Sequence, residues 1–277
     1  MKKKITLVFL SFLLVSFSNS LLAEIDHDKN PKYEDENEKE EGPFPHAKLH
    51  LNLLKKKHYA PMPVELDASG PRAKKGKTIV LYEFDFGDGS GKIQQAQSSI
   101  KHTYEILENI KEKKIVVKIR VQDSDGKWSK QKNKTLELKQ IPDPGENGKK
   151  TVAGIDLDEN GIRDDIDRLI NFQFKNLTVL QRQALRQYAV RTQTELTNSK
   201  NKTAIVNLWQ TDRSTRCLAA RMGMEESFAA EKIIETAYLN TDERALASVD
   251  VGKQLAGEST YYNTRPSEYI KHCKDQF

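Results

Sequence analysis

One stretch divides the chain into two unlike halves: Gly154-Ile-Asp-Leu-Asp-Glu-Asn-Gly-Ile-Arg-Asp-Asp-Ile-Asp167. Before it, short runs of alternating apolar and polar residues predict β-strands. After it, apolar residues recur at the spacing of an amphipathic helix. The stretch itself is rich in carboxylates at regular intervals. We therefore predict a β part, then a polar loop with its own chemistry, then a helical part.

The polar residues of this loop match the ligand positions of a twelve-residue calcium loop. With Asp156 counted as the first position, Gly161 falls at the sixth, where the sharp turn requires positive φ. The last position carries Asp167 where the EF-hand template has Glu, so closure of the ligand shell through two oxygens is less favoured. The predicted Ca²⁺ ligands are the side chains of Asp156, Asp158, Asn160, Asp164 and Asp167 and the backbone carbonyl of Ile162.

The loop resembles the calcium loops of dockerin modules and of thrombospondin type 3 repeats, which tolerate a changed last ligand. The resemblance covers this one loop, and the sequence shows no second copy. An alternative stays open, in which Asp164, Asp165 and Asp167 are acidic residues that stabilise a helix N-terminus without a metal.

The first 23 residues have the order of a secretory signal peptide. A basic start, Met1–Lys4, precedes an apolar run, Ile5–Phe17, that is shorter than a membrane span, and small residues follow. Cleavage is expected after Ser20 or Ala23. We predict an exported protein, periplasmic or extracellular, with no membrane span after cleavage. Residues 24–46 are rich in charge and poor in aliphatic residues, which predicts a disordered acidic linker.

Charge and cysteine content narrow the choice of partner and compartment. The formal charge is +5, but the basic runs Lys55–Lys57 and Lys74–Lys77 are not interleaved with aromatic residues, so nucleic-acid binding is not predicted. The two cysteines are Cys217 and Cys273. In an oxidising compartment they predict one disulfide, and two buried thiols are the alternative.

Residues 47–140 carry several short strand signals separated by turn residues, a pattern typical of an all-β sandwich. Its motif Tyr82-Glu-Phe-Asp-Phe-Gly-Asp-Gly-Ser90 resembles the signature of PKD (polycystic kidney disease) domains, and His102-Thr-Tyr104 and Val117–Gly126 match later parts of that family's pattern. Phe84 replaces the usual Trp, and the expected G-x-Y is missing from Asn109–Lys114. The resemblance implies an immunoglobulin-like β-sandwich that serves as a spacer or binding module in exported proteins. The strand predictions are Val64–Ala68, Ile79–Phe86, Ile115–Val121 and Thr135–Leu138.

The rest of the chain is a predicted linker at 141–153 and a predicted calcium loop with a helical domain at 154–277. Apolar residues at helical spacing from Ile162 predict that the loop runs directly into a helix. Capping patterns at Thr178 and Asn240 predict two further helix starts. The remaining helices are expected at Thr203–Met222 and Glu225–Tyr238, and a short last helix should contain Cys273.

The helical half contains reactive residue types, but no recognisable catalytic pattern such as G-x-S-x-G or H-E-x-x-H. We predict that the protein is not an enzyme. It is expected to bind an envelope or extracellular protein or a glycan. Two alternatives remain: a hydrolase in the helical half, with the β domain for targeting, and a purely structural spacer. In the β part, His102 is considered as a catalytic base, but a structural role at a strand start is preferred because no nucleophile is nearby. The residues of the helical half considered for catalysis or ligand binding are Trp209, Arg213, Arg216, Arg221, Glu225, Glu226, Glu231, His272 and Cys273.

Overall fold

The computed structural model describes residues 44–54, 58–258 and 266–274. The predicted signal peptide and nearly all of the predicted acidic linker lie outside the described residues, as do Lys55–Lys57. Within the described part, strands precede helices, so the fold is mixed β and α. No helix in the described part is both long enough and apolar enough to cross a membrane.

Eight strands in the described part form two sheets. The smaller sheet has the order β1-β3-β6, and the larger has the order β2-β8-β7-β4-β5. Neighbouring strands are antiparallel, except that β2 runs parallel to β8. The strands are β1 His50–Leu53, β2 Tyr59–Ala60, β3 Met62–Asp67, β4 Ile79–Asp85, β5 Lys92–Gln95, β6 Ser99–Tyr104, β7 Glu112–Asp123 and β8 Lys132–Gln140.

Alternation along the strands explains why the two sheets pack together. In β7 every second residue from Ile115 to Val121 is buried, while Val116 on the opposite face is exposed. Met62 in the smaller sheet and Phe84 in the larger one belong to the same hydrophobic core, and both are fully buried. A period of two places one set of side chains on one face of a sheet, so these strands each contribute an apolar face to the shared core.

Six α-helices in the described part follow: α1 Asp164–Phe172, α2 Val179–Thr197, α3 Lys202–Thr211, α4 Ser214–Met222, α5 Met224–Tyr238 and α6 Asp242–Leu255. Thr178 and Gln181 form the capping box expected at the start of α2. The helices pack around a second hydrophobic core, which is built mainly from residues of α1, α2, α4 and α5.

The helices differ from the prediction in several places. The expected last helix ends at His272, so it does not contain Cys273. Two other differences have a local cause in side-chain hydrogen bonds. The single helix expected at Thr203–Met222 is two helices, because Asp212 is extended and its carboxylate accepts a hydrogen bond from the backbone N–H of Ser214. This turn at Asp212 separates the two helices, and α4 begins after its N-cap Arg213, without the Gly or Pro that sequence reasoning looks for. The N-cap of α6 is Thr241 rather than Asn240, since the Thr241 hydroxyl accepts the backbone N–H of Arg244.

The predicted linker is held against the helices by a buried arginine. Residues Gly145–Lys149 form a 3₁₀ helix. Arg244 is fully buried, and its Nη2 donates to the Thr151 carbonyl at 2.8 Å and also to the Gly148 carbonyl. Burial lowers the pKa of this guanidinium. The segment before the predicted calcium loop is therefore packed against α6.

A disulfide joins Cys217 in α4 to Cys273, which directly follows a second 3₁₀ helix, Pro266–His272. The Gln187 side chain fixes the same segment, because it donates to the His272 carbonyl at 2.9 Å and accepts the Lys274 N–H at 3.0 Å. The C-terminal segment is thus attached to both α2 and α4.

Arginines also join the helices to the end of the β part. Arg168 in α1 donates from Nη1 to the Ile141 carbonyl at 2.7 Å and to Gln140 Oε1 at 3.0 Å. Arg182 in α2 pairs with Glu105, which follows β6. The segment between β8 and α1 therefore lies where the β part and the helices contact each other.

Candidate metal centre

The polar loop runs into the first turn of α1, which contains Asp164 and Asp167, and glycine allows the turn of the loop. Gly161 has φ of +85°, in the left-handed region that the sixth template position requires, and a Cβ there would meet only Val190 at 3.7 Å. The backbone conformation, not crowding, therefore favours glycine here. The preceding segment is irregular, whereas an EF-hand has a helix on both sides of its loop.

Three of the predicted ligands converge. Asp156, Asp158 and Asp164 each offer a carboxylate oxygen, and these oxygens lie within 4.8 Å of one another. Asp158 and Asp164 are almost fully buried, with 4% and 1% of their surface exposed. Buried carboxylates at this separation repel one another, so the arrangement requires a source of compensating charge or a bound proton.

Backbone amides orient two of these carboxylates. Asp156 accepts the N–H groups of Asn160 at 3.1 Å and Gly161 at 2.8 Å. Asp164 Oδ1 accepts the N–H of Leu157 at 2.9 Å. These backbone hydrogen bonds within the loop therefore fix the orientation of the Asp156 and Asp164 carboxylates.

Asn160 faces the carboxylates with its nitrogen. Its Nδ2 donates to Asp158 Oδ2 at 3.1 Å and to Asp167 Oδ2 at 2.8 Å, while its Oδ1 accepts the N–H of Ile162. A metal ligand at this position has to present oxygen. Rotation of the amide by half a turn exchanges the two atoms, and the two are nearly indistinguishable in shape.

Asp167 is set apart from the three converging carboxylates by an arginine. Its side chain is fully buried, and Oδ1 accepts a hydrogen bond from Arg186 Nε at 2.9 Å. Arg186 lies in α2 and also donates to the Asn171 side chain. Asp167 Oδ1 is therefore bonded to the Arg186 guanidinium. Asp167 Oδ2 faces the loop, where it accepts the hydrogen bond from Asn160.

A second arginine connects the loop to the far end of α5. Arg163 is almost fully buried and forms two hydrogen bonds with the Asp165 carboxylate, both at 2.9 Å. It also donates to the carbonyls of Ala237 and Tyr238, which end α5, and its guanidinium lies 4.9 Å from the Tyr238 ring centre. A cation at the C-terminus of a helix satisfies its last carbonyls and interacts favourably with its dipole. The Asp165 carboxylate is thus bonded to Arg163 and is not one of the three converging carboxylates.

The electrostatics of the loop favour a cation. Burial, together with the nearby charges of Asp158, Asp156 and Asp167, raises the pKa of Asp164 from 3.8 to about 7, while the hydrogen bond from the Leu157 amide opposes the shift. An all-oxygen, carboxylate-rich donor set suits hard divalent cations such as Ca²⁺ and Mg²⁺. The donor chemistry of the residues present therefore fits the predicted ion. The predicted carbonyl ligand, Ile162, has its side chain in the helical core.

Two positioning residues, Arg163 and Arg186, were missed by sequence reasoning. Arginine is almost never fully buried unless it is paired, so a sequence pattern alone gives no reason to place one in a core. Arg163 carries one weak signal, because it lies inside the loop beside three acidic residues. Arg186 carries none, since its partner is nineteen residues away.

The residues considered for catalysis lie in separate places. His102, in the β part, bonds to Asp88 through Nε2 at 2.7 Å and stacks on Phe86 at 3.9 Å between ring centres. Cys273 is in the disulfide, and Glu225 and Glu226 are exposed in the first turn of α5. Glu231 and Trp209 both lie near α2, where Trp209 packs under the Arg191 guanidinium.

A surface cavity of about 300 Å³ opens beside the loop. The 3₁₀ helix Gly145–Lys149 forms one wall, and Asp165 and Asn240 form part of another. Asp165 is already bonded to Arg163 and to the Asn240 amide, the latter at 3.3 Å. The cavity therefore adjoins the salt bridge and not the three converging carboxylates.

Comparison with known proteins gives a limited likeness. No protein-family model matches the chain, and no curated protein matches it. Among solved structures, it is similar to the PKD1 domain of Vibrio anguillarum Epp, at 18% identity and a TM-score of 0.26, covering 35% of this chain and 95% of that one. It is also similar to the PKD1 domain of the Vibrio cholerae metalloprotease PrtV, with the same identity and TM-score, covering 35% of this chain and 99% of that one. A TM-score of this size does not establish a shared fold.

Proposed function

We propose that this chain is an exported binding protein in which one calcium ion fixes the start of the helical half. The observation that carries the proposal is the convergence of Asp156, Asp158 and Asp164 within a loop whose spacing matches a calcium template. The β part is proposed to be an immunoglobulin-like sandwich of the PKD type, and the loop to be EF-hand-like. The ligand of the binding protein is proposed to be an envelope or extracellular protein or a glycan.

Three carboxylates are proposed as the main ligands of the ion. Asp156, Asp158 and Asp164 supply the oxygens that already converge. Asn160, Asp167 and the Ile162 carbonyl complete the set, with Asn160 turned to present Oδ1 and Asp167 using Oδ2. Calcium supplies two positive charges, which offset the mutual repulsion of the carboxylates.

The surroundings of the loop support a stabilising role for the ion. Arg186 connects Asp167 to α2, Arg163 connects the loop to the end of α5, and Arg168 connects α1 to the end of β8. An ion that orders the loop would therefore also stabilise these three contacts. An ion that binds the folded state alone raises its stability with concentration.

Export is proposed from the order of residues 1–23 and from the disulfide. A basic start, an apolar run and small residues are the features of a signal peptide. A disulfide between Cys217 and Cys273 persists in an oxidising compartment. N-terminal sequencing of protein recovered outside the cytoplasm tests this, with a start near Leu21 or Glu24 expected; an intact Met1 would contradict export with cleavage.

The binding role is tested with the purified mature chain. It is incubated with a panel of surface glycans and with envelope proteins, in calcium and in a chelator, beside Asp158→Ala. We expect retention of a defined glycan or protein, reproduced with the purified partner, and weaker retention when calcium is removed. A chain that retains nothing under either condition is a spacer, and turnover in a glycan, peptide or ester substrate screen would favour the hydrolase alternative.

A further inference from the structure

The outward face of α6 is apolar in its middle. Leu246 and Val249 are neighbours on this face, and 65% and 55% of their surface is exposed. The opposite side of the helix is used by the fold, because Arg244, Ala247 and Val251 are buried there. Exposed apolar side chains are common on protein surfaces, so the residues around this pair decide whether the face has a partner.

Charged residues of opposite sign lie at the two ends of this apolar pair. Asp242 lies four residues before Leu246 in the first turn of α6, and Lys253 lies four residues after Val249 in the last turn. With 3.6 residues per turn, the four positions fall within about 60° of one another on the helix surface. The Lys253 side chain is 68% exposed, and its ion pair with Asp250 at 2.8 Å is a surface pair of little energetic value. The exposed stripe of α6 therefore has the order acid, apolar, apolar, base.

This order is complementary to itself when a second α6 runs antiparallel. Both the apolar pair and the charged pair are symmetric about the same point, between positions 247 and 248. With a two-fold axis at that point, Asp242 faces the partner's Lys253, and Leu246 faces the partner's Val249. A two-fold interface brings the same patch of both copies together, so it requires a patch that is complementary to itself. A parallel pair would instead place Asp242 opposite the partner's Asp242.

The two sides of the stripe differ in bulk and in charge. Ala245 and Gly252 lie along one side, and a Cβ added to Gly252 would meet nothing within 4 Å among the described residues. Glycine in a helix interior is less favourable than alanine, and no neighbour within the chain requires it here. Glu243 and Asp250 lie along the other side. Approach on the side of the small residues lets two helices pack closely and keeps the like charges apart.

We propose that this chain forms a two-fold dimer in which α6 packs antiparallel against α6 of a second copy. The contact buries Leu246 and Val249 of both copies, and Asp242 pairs with the partner's Lys253 at each end. Because each copy contributes two large apolar side chains, the interface is small, and we expect a dissociation constant in the micromolar range or weaker. The dimer requires neither calcium nor the proposed ligand. It presents two copies of any ligand site, which strengthens binding to a surface that carries many copies of the ligand.

Sedimentation equilibrium of the full mature chain at micromolar to millimolar concentrations tests the dimer. The wild-type chain should associate reversibly from monomer to dimer. Leu246→Glu should weaken association by about tenfold or more, because it places two carboxylates in the apolar contact. Phe228→Glu is the matched control, since Phe228 is 59% exposed on α5 and lies outside the stripe. It should associate as wild type does, and circular dichroism confirms that both variants are folded.

Charge reversal tests the orientation of the two helices. Asp242→Lys and Lys253→Glu should each weaken association, because each places like charges opposite one another in an antiparallel pair. The double variant should recover much of the loss, because it restores one acid opposite one base at each end. In a parallel pair neither single variant would add a repulsion, so association that is unchanged in both single variants would overturn the antiparallel contact.

Gly252→Ala gives a readout that adds no charge. The dilute chain should be more stable in urea, since alanine favours the helix, whereas the dimer should be weaker because the added methyl group lies beside the contact. A wild-type chain that stays monomeric at millimolar concentration would overturn the proposal. Association lost in Phe228→Glu but kept in Leu246→Glu would do the same. A monomer that binds phosphatidylglycerol vesicles through Leu246 would assign the face to a membrane surface and would also overturn the dimer.

Discussion

Arg186 Nε lies 2.9 Å from Asp167 Oδ1, and the two side chains are 3% and 0% exposed. The pair connects the last position of the calcium-like loop to the middle of α2. A buried ion pair leaves a costly uncompensated charge when one partner is removed, whatever the net contribution of the intact pair. This pair is therefore one of the contacts that couple the loop to the helical core.

Arg186→Met tests this coupling, because it removes the charge and keeps a long apolar side chain. We expect a loss of about 3–5 kcal/mol in the free energy of unfolding, measured with urea in the presence of a chelator. The double variant Arg186→Met with Asp167→Asn removes both charges and should recover a large part of that loss. A loss below about 1 kcal/mol for Arg186→Met would mean that the pair does not couple the loop to α2.

The spacing of the loop residues was sufficient to predict which carboxylates converge, but not which residues hold them in place. Asp156, Asp158 and Asp164 follow from a linear template, because a short loop brings near neighbours together. Arg163 and Arg186 act through tertiary contacts with residues far along the chain. Asp167 was assigned as an equivalent ligand, yet Arg186 occupies one of its oxygens.

The same distinction applies to the strands and helices. β4 was predicted from its alternation and β7 from its β-branched residues. Phe84 of β4 and every second residue of β7 from Ile115 to Val121 are buried. β5 was not predicted, since its Lys-Ile-Gln-Gln sequence carries little apolar alternation and its pairing depends on β4. The break at Asp212 depends on one side-chain hydrogen bond, which no periodicity records.

Phe84→Ala should strongly destabilise the β part. The ring is fully buried between the sheets, and truncation of a buried Phe costs roughly 3–5 kcal/mol in lost contacts and cavity formation. Val116→Ala is the control, because Val116 is 40% exposed on the outer face of β7, and we expect a change within about 0.5 kcal/mol. Urea unfolding of both variants decides, and similar losses would contradict the assigned inner and outer faces.

Gly87→Ala and Gly89→Ala separate crowding from backbone strain. Both glycines have positive φ, +75° and +100°, so each alanine incurs strain. A Cβ on Gly87 would also meet the Val116 carbonyl oxygen at 2.2 Å, whereas a Cβ on Gly89 would meet nothing within 4 Å. Gly87→Ala should therefore lower the melting temperature much more. Equal effects would show that the close approach of β7 does not constrain this turn.

Acid should weaken the β part through Glu83. Arg120 donates to both Glu83 oxygens, at 2.8 and 2.9 Å, and Gln94 adds a third hydrogen bond, which together lower the pKa of Glu83 from 4.5 to about 2. A lowered pKa in the folded state gives stability that is present above pH 4.5 and lost as the pH falls towards 2.

Thermal unfolding between pH 5 and 2 measures this loss. Glu83→Gln should unfold at a lower temperature than wild type at pH 5 and show a smaller further decrease at lower pH. Glu137→Gln removes an exposed carboxylate that pairs with Lys114 and should behave as wild type. An unchanged acid dependence in Glu83→Gln would contradict the proposed role of the pair.

The most direct test of the account is calorimetric titration of the calcium-stripped mature chain with Ca²⁺, combined with its melting temperature at millimolar Ca²⁺. We predict binding heat for one site and a higher melting temperature, since an ion at a hundred times its dissociation constant adds about 2.7 kcal/mol. Asp158→Ala should lose both signals, whereas Glu159→Ala, an exposed neighbour in the same loop, should keep them. No binding heat and no shift in the wild-type chain would contradict the calcium site and leave the loop as an acidic start to α1.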